Sequence, residues 1–208
     1  INQLTVFSNK ETVTKPLTTA RLASFLGMDE NTVKQLLVYY YSAQKGFNAG
    51  TMTVPQFVGF LTKDVASNKM FASYFDSAAL AQMNAVAQYT NTAVVQKQMT
   101  STELASALHM DASMVDRIFK MVSGARGSAV ESMSMQEFVD FLCSNVLTNE
   151  QYASQFDQAT AGQLKFMQNI MNAAVSGKAY SCNDMANLFG TESGMVKMLY
   201  TYYMASYG

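Results

Sequence analysis

His109 is the only histidine among 208 residues, and an imidazole is the side chain best suited to proton transfer near neutral pH. A Ser-His-Asp or Cys-His device would have to use it. Its setting points elsewhere. It stands in Leu108-His109-Met110-Asp111, and the matching segment Leu26-Gly27-Met28-Asp29 has glycine at that slot, as does Gly190 after Phe189. Histidine is among the residues that tolerate a left-handed backbone, so a helix-ending turn is the expected role. One imidazole excludes a His-rich zinc site, and Cys143 with Cys182 gives no ligand spacing. Gly124-x-x-Gly127 lacks the preceding strand and the following Lys-Ser/Thr of a phosphate loop. Asp111, Asp116 and Asp140 read as helix-end and surface acids. The expectation is a non-enzyme with no catalytic residue, no metal and no cofactor.

Two tyrosine clusters remain, Tyr39-Tyr40-Tyr41 and Tyr200, Tyr202, Tyr203. Aromatic rings with a polar tip suit a contact surface for glycan, peptidoglycan or a protein partner. Tyr39, Tyr41 and Tyr202 are the candidate interaction residues. Consecutive helical residues point around the axis, so one or two tyrosines of each cluster should pack inward. The corresponding stretch Met121-Val122-Ser123 favours that packing role. The 16 methionines read as adaptable core.

Composition narrows the classes further. Charged residues are 14% of the chain, well below the usual roughly 25%, and the net charge is −1. No electrostatic footprint for nucleic acid or an anionic membrane surface exists. Aromatics at 12% and an apolar fraction of 49% supply a core, which argues against disorder. The polar surface must be Ser, Thr, Asn, Gln and Tyr, a mix common on bacterial cell-surface proteins. Cys143 aligns with Thr62, and Cys182 with Thr19 and Ser101, so no disulfide framework is shared and two free thiols are expected. No signal peptide is expected at Ile1, and a chain that starts and stops mid-pattern is expected to be an excised fragment. The longest uncharged run, Ser77 to Gln96, is long enough for a bilayer but too polar. A soluble fragment without membrane insertion is expected.

The strongest pattern is internal repetition. Ala23, Gly27, Val33, Lys34, Leu36, Tyr39 and Tyr40 meet Ala186, Gly190, Val196, Lys197, Leu199, Tyr202 and Tyr203 at a shift of 163 residues. Leu26–Asp29 meets Leu108–Asp111 at 82. Met52, Phe57-Val58, Phe60-Leu61, Val65 and Asn68 meet Met133, Phe138-Val139, Phe141-Leu142, Val146 and Asn149 at 81, as do Ala72-Ser73 and Phe75-Asp76 with Ala153-Ser154 and Phe156-Asp157. The chain is thus expected to be all-α, with tandem repeats of about 81 residues and no extensive sheet. The first repeat, 1–70, is partial, the second, 71–151, complete, and the third, 152–208, partial.

Each unit reads as four helices. The first is long, Phe71–Gln96 and Tyr152–Ser176, with apolar positions at helical spacing; 26 residues would span about 40 Å. The second is short: Thr19–Leu26, Ser101–Leu108 and Cys182–Phe189. Thr18, Thr100 and Ser181 stand before it as N-caps, and Glu103 completes a capping box with Thr100. The third is Asn31–Ala43, Ser113–Val122 and Ser193–Ala205. The fourth, Val54–Val65 and Met135–Val146, comes after a loop of about ten residues and opens with the capping boxes Thr53-x-x-Gln56 and Ser134-x-x-Glu137. Pro55 sits in its first turn, where its missing N–H does no harm. In the first repeat, Ile1–Lys15 covers only the tail of a long helix, and Asn9–Thr12 reads as loop.

The stretch from Leu22-Ala23-Ser24-Phe25-Leu26-Gly27 through a second helix and a loop to Thr53-Val54-Pro55-Gln56-Phe57-Val58-Gly59-Phe60-Leu61 resembles paired EF-hands. Met52 and Met133 occupy the place of the apolar residue of a short β-bridge. The loops depart from the calcium pattern. Counting back from Glu137, the ligand positions hold Arg126, Ser128, Val130 and Ser132; counting back from Gln56, they hold Lys45 and Phe47. Glu137 is expected to serve its Ser134 cap, not a metal.

The whole unit, carried by Leu22-Ala23 to Val33, Met133 to Leu142 and Tyr152 to Ala159, resembles the large extracytoplasmic inserts of MMPL-type transporters of the RND superfamily in Gram-positive gut bacteria. That resemblance implies a non-enzymatic spacer, gate or interaction surface of an exporter. It would lie outside the cell and be tethered through the membrane-embedded remainder of its own chain. Its partners would be that remainder, other surface proteins or further copies of itself. The alternative is a secreted or wall-attached interaction module of degenerate EF-hand type.

Overall fold

The computed structural model describes residues 19–43, 49–68 and 77–207, with the side chains of Arg21, Phe25 and residues 41–43 outside that description. The expectations for Ile1–Lys15 and for Thr18 as a cap lie outside the described residues. Within them the chain is mostly helical, as an all-α protein should be.

In chain order the elements are α1 (Thr19–Leu26), α2 (Glu30–Ala43), β1 (Met52–Thr53), α3 (Val54–Phe60), α4 (Ser77–Thr90), α5 (Thr92–Val95), β2 (Gln98–Met99), α6 (Ser101–Leu108), α7 (Ala112–Arg126), β3 (Met133–Ser134), α8 (Met135–Phe141), α9 (Glu150–Ala153), α10 (Gln158–Ser176), β4 (Ala179–Tyr180), α11 (Cys182–Phe189) and α12 (Ser193–Tyr207). Helices α3 and α8 each run on into a π-helical turn, Leu61–Val65 and Leu142–Val146. No helix among the described residues is long and apolar enough to cross a membrane.

The starts and stops come from local chemistry. Thr53 and Gln56, Thr100 and Glu103, and Ser134 and Glu137 each form a reciprocal capping box. Each box satisfies two otherwise orphaned N–H groups. Asp111, Asp157 and Ser181 cap α7, α10 and α11. At the other end of α6, His109 adopts φ 53°, ψ 37°. Its N–H donates to the Ser106 carbonyl and that of Met110 to Ala105, the paired bonds of a Schellman stop. Gly27 and Gly190 take the same left-handed turn after α1 and α11.

The expected long helices are broken. Phe71–Asp76 lies outside the described residues. The remainder is α4 and α5 separated at Asn91, whose extended backbone and side chain, accepting from the Ala93 N–H, restart the helix. In the later copy Asp157 accepts from the Thr160 N–H and starts α10 afresh, so Tyr152 belongs to the short α9. A capping side chain at each break offers the backbone a local alternative that the apolar spacing does not reveal. Helix α7 runs on to Arg126, beyond the expected Val122, and Gly127 ends it with φ 69°. The loop before β3 is correspondingly short.

Packing divides the chain into two compact units. The first consists of the described residues of Met52–Ala179. Helix α10 lies against α8, α4 and α3, while α6 packs on α7. Its core gathers Leu104, Val115, Ile118, Met133, Met135, Phe138, Val139, Leu142 and Val146. Phe119 and Phe138 meet with ring centroids 6.2 Å apart. Burying side chains of this size contributes about 1.5–3 kcal/mol each. Strands β2 and β3 pair antiparallel, Gln98 opposite Ser134 and Met99 opposite Met133.

The second unit consists of the described residues of Ile1–Thr51 and Tyr180–Gly208. Two helical hairpins, α1–α2 and α11–α12, meet through α2 and α12. Val33, Val38, Val196, Leu199, Tyr200, Thr201 and Tyr202 are buried there.

Candidate functional site: tyrosine surface and ribbon cluster

The tyrosines separate by burial. Tyr39 is 78% exposed and Tyr40 58%, and with Leu36 at 50% they form an apolar stripe at i, i+3 and i+4 on α2. Tyr41 continues α2, but its side chain lies outside the described residues. Tyr202 corrects the expectation of a contact residue: it is only 8% exposed. Helix α12 packs against both α11 and α2, and this position lies on its covered side. Tyr200 is fully buried and its hydroxyl donates to the Tyr180 carbonyl at 3.1 Å. Tyr203 stacks on Tyr207 with centroids 5.0 Å apart. The candidate surface is therefore Tyr39 with Tyr40 and Leu36.

A second cluster gathers at the β2–β3 ribbon. Glu137 Oε2 accepts from the Ser134 N–H at 2.8 Å and from Gln98 Nε2 at 3.0 Å. Its Oε1 lies 3.7 Å from Arg126 Nη2. Ser132 donates to Gln98 Oε1. The Ser134 N–H, and after it Gln98, hold the Glu137 carboxyl below its ordinary value. A carboxylate with its oxygens used in this way is a structural clamp, since each bond stabilises the charged form.

The sequence pattern did not reveal a third polar group. Asp140 Oδ1 accepts from Gln168 Nε2 at 2.9 Å and Asn172 Nδ2 at 3.1 Å, and Gln136 donates to Asn172 Oδ1 at 2.6 Å. Asp140 is thus half-buried between α8 and α10, not a plain surface acid. The available signal was the i, i+4 spacing of Gln136 with Asp140 and of Gln168 with Asn172 on facing helices.

The other candidates stand apart. His109 is exposed in its turn. Cys143 is buried, Cys182 half-buried, and burial pushes both thiols up; that is the opposite of an activated nucleophile. Among the described residues no group of three or more His, Cys, Asp or Glu is placed to hold a metal ion. A shallow depression is lined by Met114, Met121, Val146, Tyr152 and Phe156, with Arg117 donating to Gln155 at 2.6 Å beside it.

Comparison with protein-family models, curated proteins and solved structures finds no match to this chain.

Proposed function

We propose that this chain is a tandem-repeat, non-enzymatic helical region lying outside the membrane in an RND/MMPL-type exporter, where it serves as spacer, gate or interaction surface. The observation that carries this reading is recurrence. Strands β1 and β3, helices α3 and α8, the two π turns, strands β2 and β4, and helices α6 and α11 each begin 81 residues apart. The capping boxes at Thr53 and Ser134 share φ −73° and ψ 158°. On this reading the units run 1–70, 71–151 and 152–208. Repeated units whose polar residues cap helices and join neighbouring helices suit a scaffold, and the exposed stripe of Leu36, Tyr39 and Tyr40 is its contact face. The rest of the exporter chain, neighbouring surface proteins or further copies are the partners this reading assigns.

The test is topology. In the full-length protein, a cysteine at Tyr39 should react with a membrane-impermeant maleimide on intact cells, and the reading frame should encode membrane spans. Reaction only after lysis, or a frame without spans, overturns the proposal.

A second reading, a wall-attached interaction module of degenerate EF-hand type, is favoured by the β2–β3 ribbon. It joins the loop between α5 and α6 to the loop between α7 and α8, as a pair of helix–loop–helix elements would require. This reading expects a cleavable leader and an anchoring motif in place of membrane spans.

A further inference from the structure

Between Val146 and Leu164, both buried, the chain runs beside α7 as a segment that buries little of itself. Helix α9 has no buried residue, and Tyr152 and Phe156 are half-buried, packed against the core. The N–H groups of Tyr152 and Ala153 donate to the Asn149 carbonyl, that of Gln155 to Tyr152 and that of Phe156 to Ala153, so these bonds close within the segment. Capping side chains set it off at both ends. Asn149 accepts from the Gln151 N–H and Asp157 from the Thr160 N–H, each on an extended backbone. What reaches α7 is a side-chain hydrogen bond, Arg117 Nη2 to Gln155 Oε1 at 2.6 Å. Met114, Ile118 and Met121 of α7 line the shallow depression that the segment borders. Ile118 and Met121 match Leu36 and Tyr39 of α2, which stand exposed, so this face of a third helix tolerates water. The Arg117 position is Gln35 in α2 and Met198 in α12.

We propose that residues 149–157 are a latched strap over α7. The strap opens locally about Asn149 and Asp157, while Val146 and α10 stay packed. Its own backbone bonds travel with it. Opening breaks the Arg117–Gln155 bond and lifts Tyr152 and Phe156 from the core. Arg117 and Gln155 are both exposed, so water competes for their hydrogen bond and its net worth is small, which makes the latch reversible. Once lifted, the strap leaves Met114, Ile118 and Met121 uncovered at i, i+4 and i+7, one apolar side of a helix. Helix α7 then shows water the face that α2 already shows as Leu36 and Tyr39. The strap is thus a removable cover, and the rest of the fold does not depend on it.

The test is amide hydrogen exchange on the whole chain, read residue by residue by NMR. Tyr152, Ala153, Gln155 and Phe156 should exchange together, faster than the buried Ile170 and Met171 of α10 but slower than unprotected amides. Arg117→Ala should speed these four by about two- to tenfold and leave Ile170 and Met171 unchanged. Gln155→Glu, which gives the guanidinium a charged acceptor, should slow them. In a chain carrying Cys143→Ala and Cys182→Ser, the thiol of Ile118→Cys should react severalfold faster with an aromatic disulfide reagent once Arg117→Ala is added. The proposal falls if the four amides exchange in step with Ile170 and Met171, or if they show no protection. It also falls if Arg117→Ala leaves either their exchange or the Ile118→Cys reaction at the parent rate.

Discussion

One carboxylate oxygen of Glu137 binds both strands of a ribbon: Oε2 accepts from the Ser134 N–H on β3 and from the Gln98 side chain on β2. The helix cap and the strand pairing therefore depend on the same atom. Glu137→Ala removes the acceptor of both donors at once and should lower stability by about 1–2 kcal/mol. Glu137→Gln keeps an acceptor, as Gln56 does in its own box, and should cost less. The urea midpoints of the two variants against the parent chain are the measurement.

Acid should weaken the fold through the same groups. The Ser134 N–H foremost, then Gln98, lowers the Glu137 pKa from its ordinary 4.5. Hydrogen bonds from Thr100 lower Glu103, one from Ser113 lowers Asp111, and one from Thr160 lowers Asp157. A carboxyl whose folded pKa is depressed contributes stability that is fully present above its unfolded pKa. That contribution is lost as pH falls through the folded value. The urea midpoint should hold steady from neutral pH down to the ordinary carboxylate range and drop below it. Glu137→Gln should flatten part of that drop, and an unchanged slope would assign the acid sensitivity elsewhere.

His109 holds φ 53° at a stop where α1 and α11 use glycine. A left-handed backbone costs an L-residue about 1 kcal/mol, less for histidine than for most. His109→Gly should leave stability equal or raise it by up to about 1 kcal/mol. His109→Val, with a branched Cβ in the same turn, should lower it. Thermal midpoints of both variants decide the matter.

Tyr200 and Tyr39 should respond in opposite ways. Tyr200→Phe removes the buried hydroxyl that donates to the Tyr180 carbonyl and should cost about 1 kcal/mol, whereas Tyr39→Ala on an exposed position should stay within about 0.5 kcal/mol. If the stripe on α2 is a contact face, Tyr39→Ala weakens partner association without touching the unfolding midpoint.

Calcium calorimetry probes the loops. Arg126 Nη2 already lies 3.7 Å from Glu137 Oε1, so a cation entering there would meet a positive charge and a carboxylate engaged in capping. No tight binding is expected; a sub-micromolar affinity would show that the loops can rearrange into a ligand set.

The capping chemistry was legible in the sequence because it is local. Thr100-x-x-Glu103, Ser134-x-x-Glu137 and the His109 turn each depend on residues within one helical turn of one another. The breaks at Asn91 and Asp157 were hidden because apolar spacing continues across them, and a cap inside a periodic stretch changes little of its pattern. Tyr202 could not be told from Tyr39 by sequence. They occupy matching positions on sister helices, and only tertiary packing leaves one buried and the other exposed. The Asp140–Gln168–Asn172 contacts were obscured for the same reason: each partner is ordinary until the two helices are side by side.

The π turns carry a further consequence. In each, an N–H reaches back five residues, Ala66 to Leu61 and Leu147 to Leu142, both at 2.9 Å. One residue is thereby accommodated as a local bulge, which shifts the angular phase of the residues after it and returns Val65 and Val146 to the interior. Rewinding 142–146 as regular α-helix at unchanged length would swing Val146 about 100° around the axis, whereas deleting one residue there removes the bulge and leaves the following residues in phase. The segment thus stores one residue of slack: a single-residue loss that would rotate the rest of an ordinary helix is absorbed at that spot.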